Sequence, residues 1–329
     1  MVHADMRLAM WIPIAALFAS LPFLGLPKEM LPLLILILMF CALATSWNIL
    51  AGYAGYISFG QAGFFGIGAY VTAMPLYYQG VNPFLMVPLA GVASASLAFV
   101  VGYPCLKLRG AYFAIVTMAL AFILQLIVWN VPWTGGGVGL PLPMLTASET
   151  FVEPIVAYYL AMLGVTLAAL IVSQAVENSK FGYGLIAIRE SEEVAESAGV
   201  PTLKFKILAF MLSTFFAGMV GGIWAPWVAY VQPIGAFPIF VSIYSVVMSV
   251  FGGIGTWIGP MLGAIIMTWL QQYLLTNVRI AGIDNIIFGA ILILVVITMP
   301  NGVIAPVRKL VSSLGAIVRR VGSRKGSSD

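Results

Sequence analysis

Residues 177–206 read ENSKFGYGLIAIRESEEVAESAGVPTLKFK and hold nine of the chain's twenty-six Asp, Glu, Lys and Arg residues. The tracts on either side are nearly free of charge: Met30 to Leu106 and Ile207 to Val278 contain no Asp, Glu, Lys, Arg or His. Hydrophobic residues make up 62% of the 329 residues and charged ones 8%, against roughly a quarter charged in an average soluble domain. A water-soluble fold has no interior large enough to hide that much apolar surface. The sequence therefore predicts an all-α polytopic membrane protein, with 177–206 as a polar loop outside the bilayer.

A spanning helix needs about 20 apolar residues, and the hydropathy pattern supplies ten candidates: 8–26, 30–51, 60–79, 83–104, 111–131, 152–173, 207–228, 237–255, 257–277 and 283–300. The first has small residues of the kind found near signal cleavage sites, Ala19 and Ser20, but is long for a signal core and reads as a span. Placing the N-terminus in the cytosol puts thirteen of the fifteen Lys and Arg residues on cytosolic segments, with Lys28 and Arg279 the exceptions. The positive-inside bias thus predicts N-in, C-in topology, with 177–206 in the cytosol between spans six and seven. A single transmembrane domain would cover 1–306. Val307 to Asp329 alternates apolar and basic residues and reads as an amphipathic helix on anionic lipid.

The chain is equally informative in what it lacks. No predicted span carries an ionisable residue near its middle, so there is no obvious handle for a proton. Paired carboxylates, a serine with a neighbouring base and a histidine cluster are absent, which leaves no catalytic or metal-ligating set; the one histidine, His3, sits in the N-terminal tail. Cys41 and Cys105 lie in apolar context and read as small packing residues. No Gly-rich loop closes on Lys-Ser or Lys-Thr to hold nucleotide phosphates. The net charge of +4 sits at membrane edges and is no nucleic-acid signature. Uphill transport would need energy from another subunit; a stand-alone channel or facilitator is the alternative, and an intramembrane enzyme lacks candidate groups.

Four stretches could do the work. Ser46 to Ala73 carries glycines too densely for a plain span, Gly52 and Gly55 among them, and predicts an interrupted or closely packed helix pair. Asn48, Ser58, Gln61 and Phe64 are candidates to line a pathway for a zwitterion with an apolar side chain. The alternative is that the polar groups hydrogen-bond between helices and the glycines only allow packing. Gly218-x-x-x-Gly222 and Gly259-x-x-x-Gly263 suit close helix crossings. Arg109 reads as a boundary residue snorkelling to the interface, and Thr134 to Pro143 as a tight extracytoplasmic loop. From Gly184 to Gly199, Leu185, Ile188, Ala195 and Ala198 recur at helical spacing opposite Arg189, Glu190, Glu193 and Glu196. An acidic face of that kind suits a protein partner better than lipid, whose surface helices are basic; a solvated loop helix is the plainer alternative.

Glu193-Val-Ala195 with Gly199 resembles the EAA…G loop of ABC importer membrane subunits. Gly52-Tyr-Ala-Gly55, Ser58 to Tyr70, Leu108-Arg-Gly-Ala-Tyr112, Thr134 to Pro143, Phe251-Gly-Gly-x-Gly-Thr256-x-x-Gly-Pro260 and Pro300-Asn-Gly302 extend the likeness over most of Trp47 to Val303. The chain resembles the LivM-type permeases of branched-chain amino-acid ABC importers. It departs from their pattern at Val194, and at Gln271 and Gln272, where relatives often have acids. The resemblance implies a subunit of the prokaryotic inner membrane that moves Leu, Ile, Val or related hydrophobic amino acids; sister systems for urea, amides and other amino acids share the scaffold. It also implies a coupling helix in which Arg189, Glu190, Glu193, Ala195, Glu196 and Gly199 meet a cytosolic ATPase. The other partners it implies are a LivH-like second permease, a second ATPase copy and an extracytoplasmic binding protein. ATP and Mg would be bound by the ATPases, with no cofactor in this chain.

Overall fold

Long uncharged apolar runs can satisfy their backbone N–H and C=O groups in lipid only as helices. The computed structural model, which describes residues 11–24, 27, 30–145, 152–277, 289–290 and 302–303, is built almost wholly of them. In chain order these are α1 (Trp11–Ser20), α2 (Met30–Ala54), α3 (Gln61–Gln79), α4 (Pro83–Cys105), α5 (Ala111–Asn130), α6 (Pro154–Glu177), α7 (Lys180–Glu190), α8 (Glu192–Ser197), α9 (Thr202–Val228), α10 (Pro233–Ala236), α11 (Ile239–Gly252) and α12 (Ile258–Asn277). Among the described residues, seven helical segments are long and apolar enough to cross a membrane: α2, α4, α5, α6, α9, the run Pro233–Gly252 and Ile258–Thr276. The protein is an all-α polytopic membrane protein. The predicted span 283–300, the tail 307–329, His3, Arg7, Lys28 and Arg279 lie outside the described residues. Several boundaries differ from the sequence reading. The predicted span 8–26 is described as α-helix over Trp11–Ser20 alone, α2 runs on to Ala54, α6 runs on to Glu177 and α11 stops at Gly252. α9 starts at Thr202 and so draws Lys204 and Lys206 into its first turns. Neither α1 nor α3 is among the seven segments.

The core is set by small residues. Where α9 crosses α3 and α4, a Cβ added to Gly218 would lie 2.6 Å from the Ala90 carbonyl oxygen, and one on Gly221 would lie 2.8 Å from the Phe65 carbonyl carbon. Gly222 sits equally close to Thr72, at 2.7 Å from its Oγ1. Ser94 of α4 uses this proximity to donate to the Phe64 carbonyl at 3.0 Å. Backbones this close gain dispersion and hydrogen bonds that side-chain branching would forbid. The α11–α12 crossing follows the same rule, since a Cβ on Gly263 would lie 2.8 Å from the Gly252 nitrogen.

The chain between α2 and α3 leaves the helix at Gly55 (φ +78°) and re-enters it at Gln61. Freed backbone groups are tolerated at membrane depth only when protein satisfies them, and hydroxyls do so here. Phe59 N–H donates to Thr117 Oγ1 at 3.1 Å, Gly60 N–H to Ser58 Oγ at 3.2 Å and Ala62 N–H to Ser242 Oγ at 2.9 Å.

Both ends of the described chain reach the end of the bundle that holds α7 and α8. Trp11 donates to Gln174 Oε1 at 2.8 Å and meets Trp257 edge-on at 5.3 Å, and Val303 N–H donates to the Phe251 carbonyl at 2.9 Å. At the opposite end, Leu140–Pro141 (β1) pairs antiparallel with Tyr230–Val231 (β2), the one strand pairing among the described residues.

A bulky residue at the α9 crossing should be felt as overpacking. Gly218→Val is expected to cost about 1–3 kcal/mol and lower the melting temperature in detergent. Gly164→Ala on α6, where nothing lies within 4 Å of the added Cβ, should leave it unchanged.

Candidate functional site

The loop between α6 and α9 folds as two short helices rather than the single one its periodicity suggests. The break is at Ser191, which is extended (φ −162°, ψ 114°) and caps α8 by accepting from the Val194 N–H. Ser179 caps α7 in the same way from Gly182 N–H, at 3.1 Å. At the far end, Gly199 takes φ +84°, its N–H bonding the Glu196 carbonyl at 2.9 Å while Val200 N–H bonds the Ala195 carbonyl at 3.0 Å. That paired closure is the glycine C-cap that stops a helix cleanly. Leu185, Ile188 and Ala195 are buried against the spans, whereas Ala198, expected on the same face, is exposed.

The break turns Glu192 inward. Its Oε1 lies 2.6 Å from Nζ of Lys206, which is 3% exposed, and its Oε2 accepts from Tyr56 O–H at 2.7 Å and from Arg109 Nε at 3.1 Å. The ammonium also donates to the Leu106 carbonyl at 3.0 Å and to Tyr56 Oη at 3.1 Å, so all three of its donors are used. One cluster thus ties α8 to α9, to the α4–α5 link and to the α2–α3 break. Burial pushes the Glu192 carboxyl up; the hydrogen bonds from Lys206 and Tyr56, with the charges of Lys206 and Arg109, outweigh it and hold the group below its ordinary value. Burial, and then Glu192 itself, raise the Tyr56 hydroxyl above its ordinary range.

The coupling residues read from sequence fall on two sides. Glu193 and Glu196 of α8 face outward, as does Gly199, and the exposed Val194 adds an apolar contact point between the two acids. Arg189 does not belong with them. Its Nη1 donates inward to the Gly52 carbonyl at 2.8 Å and its Nη2 meets the outward Glu190 at 3.2 Å. Arg109, read as a snorkelling residue, instead bridges Glu192 and Glu193, the latter at 3.6 Å.

The four pathway candidates are buried and occupied. Asn48 bonds the turn at residues 255–256, Gln61 donates to Ser46 Oγ at 3.0 Å, Ser58 serves the backbone break, and the Phe64 ring packs edge-on against Phe210 at 5.3 Å. In this conformation the contacts they make are those of interhelical packing. Of the glycines, Gly52, Gly55, Gly218, Gly222, Gly259 and Gly263 all meet neighbouring chain within 3.0 Å of an added Cβ. Among the described residues no group of three His, Cys, Asp or Glu could hold a metal ion.

Comparison with known proteins places the chain in a family. The family model described as branched-chain amino acid transport system / permease component matches residues 30–296. The chain belongs to this family. Curated relatives include the high-affinity branched-chain amino acid transport system permease proteins LivM of Salmonella typhimurium and of Escherichia coli K12. Both are 28% identical, over 82% and 83% of this chain and 69% of each relative. The LivH permease protein of Salmonella typhimurium is 25% identical over 80% of this chain and 91% of its own. No solved structure matches significantly. The protein is accordingly a multi-pass permease of the inner membrane.

Glu192 and Lys206 are the residues of this cluster that sequence reasoning missed. Helical periodicity sorts charges outward, and Glu192 shares its stretch with three acids that do point outward. The available signal was Ser191-Glu-Glu, a serine cap that restarts the helix and rotates its first residue.

Removing one partner strands the other charge in a buried site. Lys206→Met should cost about 3 kcal/mol, read as a lower melting temperature, and pairing it with Glu192→Leu should recover part of the loss. The Glu192 carboxyl titrates below its unfolded value of about 4.3, so its contribution is full above that pH and is lost as pH falls through the lowered folded value. The melting-temperature gap between wild type and Glu192→Gln should therefore close on acidification below about pH 4.3.

Proposed function

We propose that this permease is the membrane-spanning subunit of an ABC importer for branched-chain or related hydrophobic amino acids, with the α7–α8 pair as its coupling element. The observation that carries the reading is the cluster of Glu192, Lys206, Tyr56 and Arg109, which joins α8 rigidly to α9 while leaving Glu193, Val194 and Glu196 exposed. A lever needs a stiff root and a free face, and this loop has both. In this reading the free face docks on a cytosolic ATPase, whose closure on ATP pushes α8, and the ion pair passes the push to α9. At the close glycine crossings α9 has little room to slip past α3 and α4, so they move with it. A LivH-like permease would complete the pathway, and an extracytoplasmic binding protein would deliver the amino acid at the end bearing the β1–β2 pair.

The same reading places ten spans across the membrane with both termini and the α7–α8 pair in the cytosol, supported by the positive-inside bias and by the position of Trp11 and Val303 beside that end. ATP and Mg would sit on the partner ATPases.

Reversing the free face should break docking without touching the root. Glu193→Lys with Glu196→Lys is expected to abolish ATP-driven leucine uptake in proteoliposomes and to reduce ATPase co-purification about tenfold. Normal leucine uptake by that variant would refute the coupling role. Gly199→Val, strained at φ +84°, should weaken uptake more mildly by fraying the α8 cap.

A further inference from the structure

We infer that Arg189 is a positioning residue through which the α7–α8 pair also moves the α11–α12 turn at residues 253–257, giving the lever a second output besides α9. The inference rests on the importer reading above. The Gly52 carbonyl, bonded by Arg189 at 2.8 Å, lies in the last turn of α2, where carbonyls lack helical partners and attract a cation. The Arg189 side chain runs between two glycines, its stem beside Gly55 and its guanidinium beside Gly255. A Cβ on Gly55 would lie 2.8 Å from Arg189 Cγ, and one on Gly255 would lie 3.0 Å from Arg189 Nη1; both glycines have φ +78°. The turn's backbone therefore rests directly on the arginine.

One helical turn before Gly52 on the same face of α2, Asn48 holds the turn from both sides. Its Oδ1 accepts from Gly255 N–H at 2.9 Å and its Nδ2 donates to the Thr256 carbonyl at 3.0 Å. Glu177, at the end of α6, accepts from Trp257 N–H at 2.7 Å and from Tyr53 O–H at 3.1 Å. Arg189, Asn48 and Glu177 thus clamp one short turn to the ends of α7, α2 and α6. Beyond the turn there is no slack: the glycine crossing of α11 on α12 makes the hairpin move as one body, and Ser249 of α11 bonds the Ala44 carbonyl of α2 at 2.9 Å.

Arg189 has two partners of different kinds, both engaged in this structure, and only one of them is within reach of a docking protein. One nitrogen holds the buried-side carbonyl and the other pairs with Glu190, which is 72% exposed on the docking face. A protein that engages Glu190 draws on the same guanidinium that supports the turn. Coupling between sites requires an element of this sort, whose alternative arrangements both sites bias.

The test uses the full importer complex in proteoliposomes, with ATP hydrolysis and leucine uptake measured in the same vesicles. Arg189→Met keeps the stem and removes the fork. It is expected to raise the ATP hydrolysed per leucine imported about tenfold, with Arg189→Lys intermediate because it restores the charge without the planar fork that reaches both partners. A direct readout comes from Ile254→Cys, which places a thiol on the exposed part of the turn while the native Cys41 and Cys105 stay buried. Its labelling rate by a soluble maleimide should change severalfold between resting and vanadate-trapped complex when Arg189 is present, and should not change in the Arg189→Met background. The inference is overturned if hydrolysis and uptake fall in parallel, if both stay at wild type, or if the labelling change survives Arg189→Met. A wild-type complex that hydrolyses ATP without importing leucine overturns the importer reading itself.

Discussion

An ammonium group out of water must place all of its N–H bonds on the protein, and Lys206 does so with a carboxylate, a phenol and a backbone carbonyl. The seating of α8 on the spans follows from that requirement. The carboxylate has to come from Glu192, so α8 has to begin one residue earlier, at a serine cap, and α7 has to end there. The phenol has to come from Tyr56, so the chain after α2 has to pass beside α9 instead of continuing outward as helix. Buried pairs of this kind often add little net stability over apolar packing, but they tolerate few geometries. Here the cluster fixes the angle at which a surface loop meets a membrane helix.

Glycine does for the helices what the ion pair does for the loop. In lipid there is no hydrophobic gain from joining two apolar helices, so association depends on close contact and hydrogen bonds. The α9 crossing with α3 and α4 and the α11–α12 crossing both bring backbone to within contact distance, and in the same tightly packed bundle Ser94 bonds the Phe64 carbonyl and Ser249 the Ala44 carbonyl. One apolar side of α4 and α5, with Leu85, Leu89, Phe99, Ile115, Phe122 and Leu126, is left uncovered by the described residues.

Much of the architecture was legible because lipid simplifies the problem. Apolar length marks helices such as α2, α4, α5, α6 and α9 within a few residues, and dense glycine marks the break at 55–60. What periodicity could not show was direction within the charged loop. Arg189 and Glu192 look like surface residues in a tally of charges, yet one reaches back to a helix end and the other into an ion cluster. Asn48, Ser58 and Gln61 were ambiguous for the complementary reason: a polar group in a span can face a pathway or a neighbour. Their partners here, the turn at 255–256, the backbone break and Ser46, lie too far along the chain or too close in space for spacing to distinguish.

The hydroxyls that serve the backbone between α2 and α3 come from distant parts of the sequence, Thr117 on α5 and Ser242 on α11. During synthesis, Ala62 leaves the ribosome 180 residues ahead of the serine that receives its N–H. Until α11 is made, the Ala62 N–H lacks the partner it has in the folded protein. The final seating of α3 is therefore a late event in biogenesis, set by the arrival of the second half of the protein. A nascent chain stopped before Ser242 would hold α3 with that N–H at its first turn unpaired.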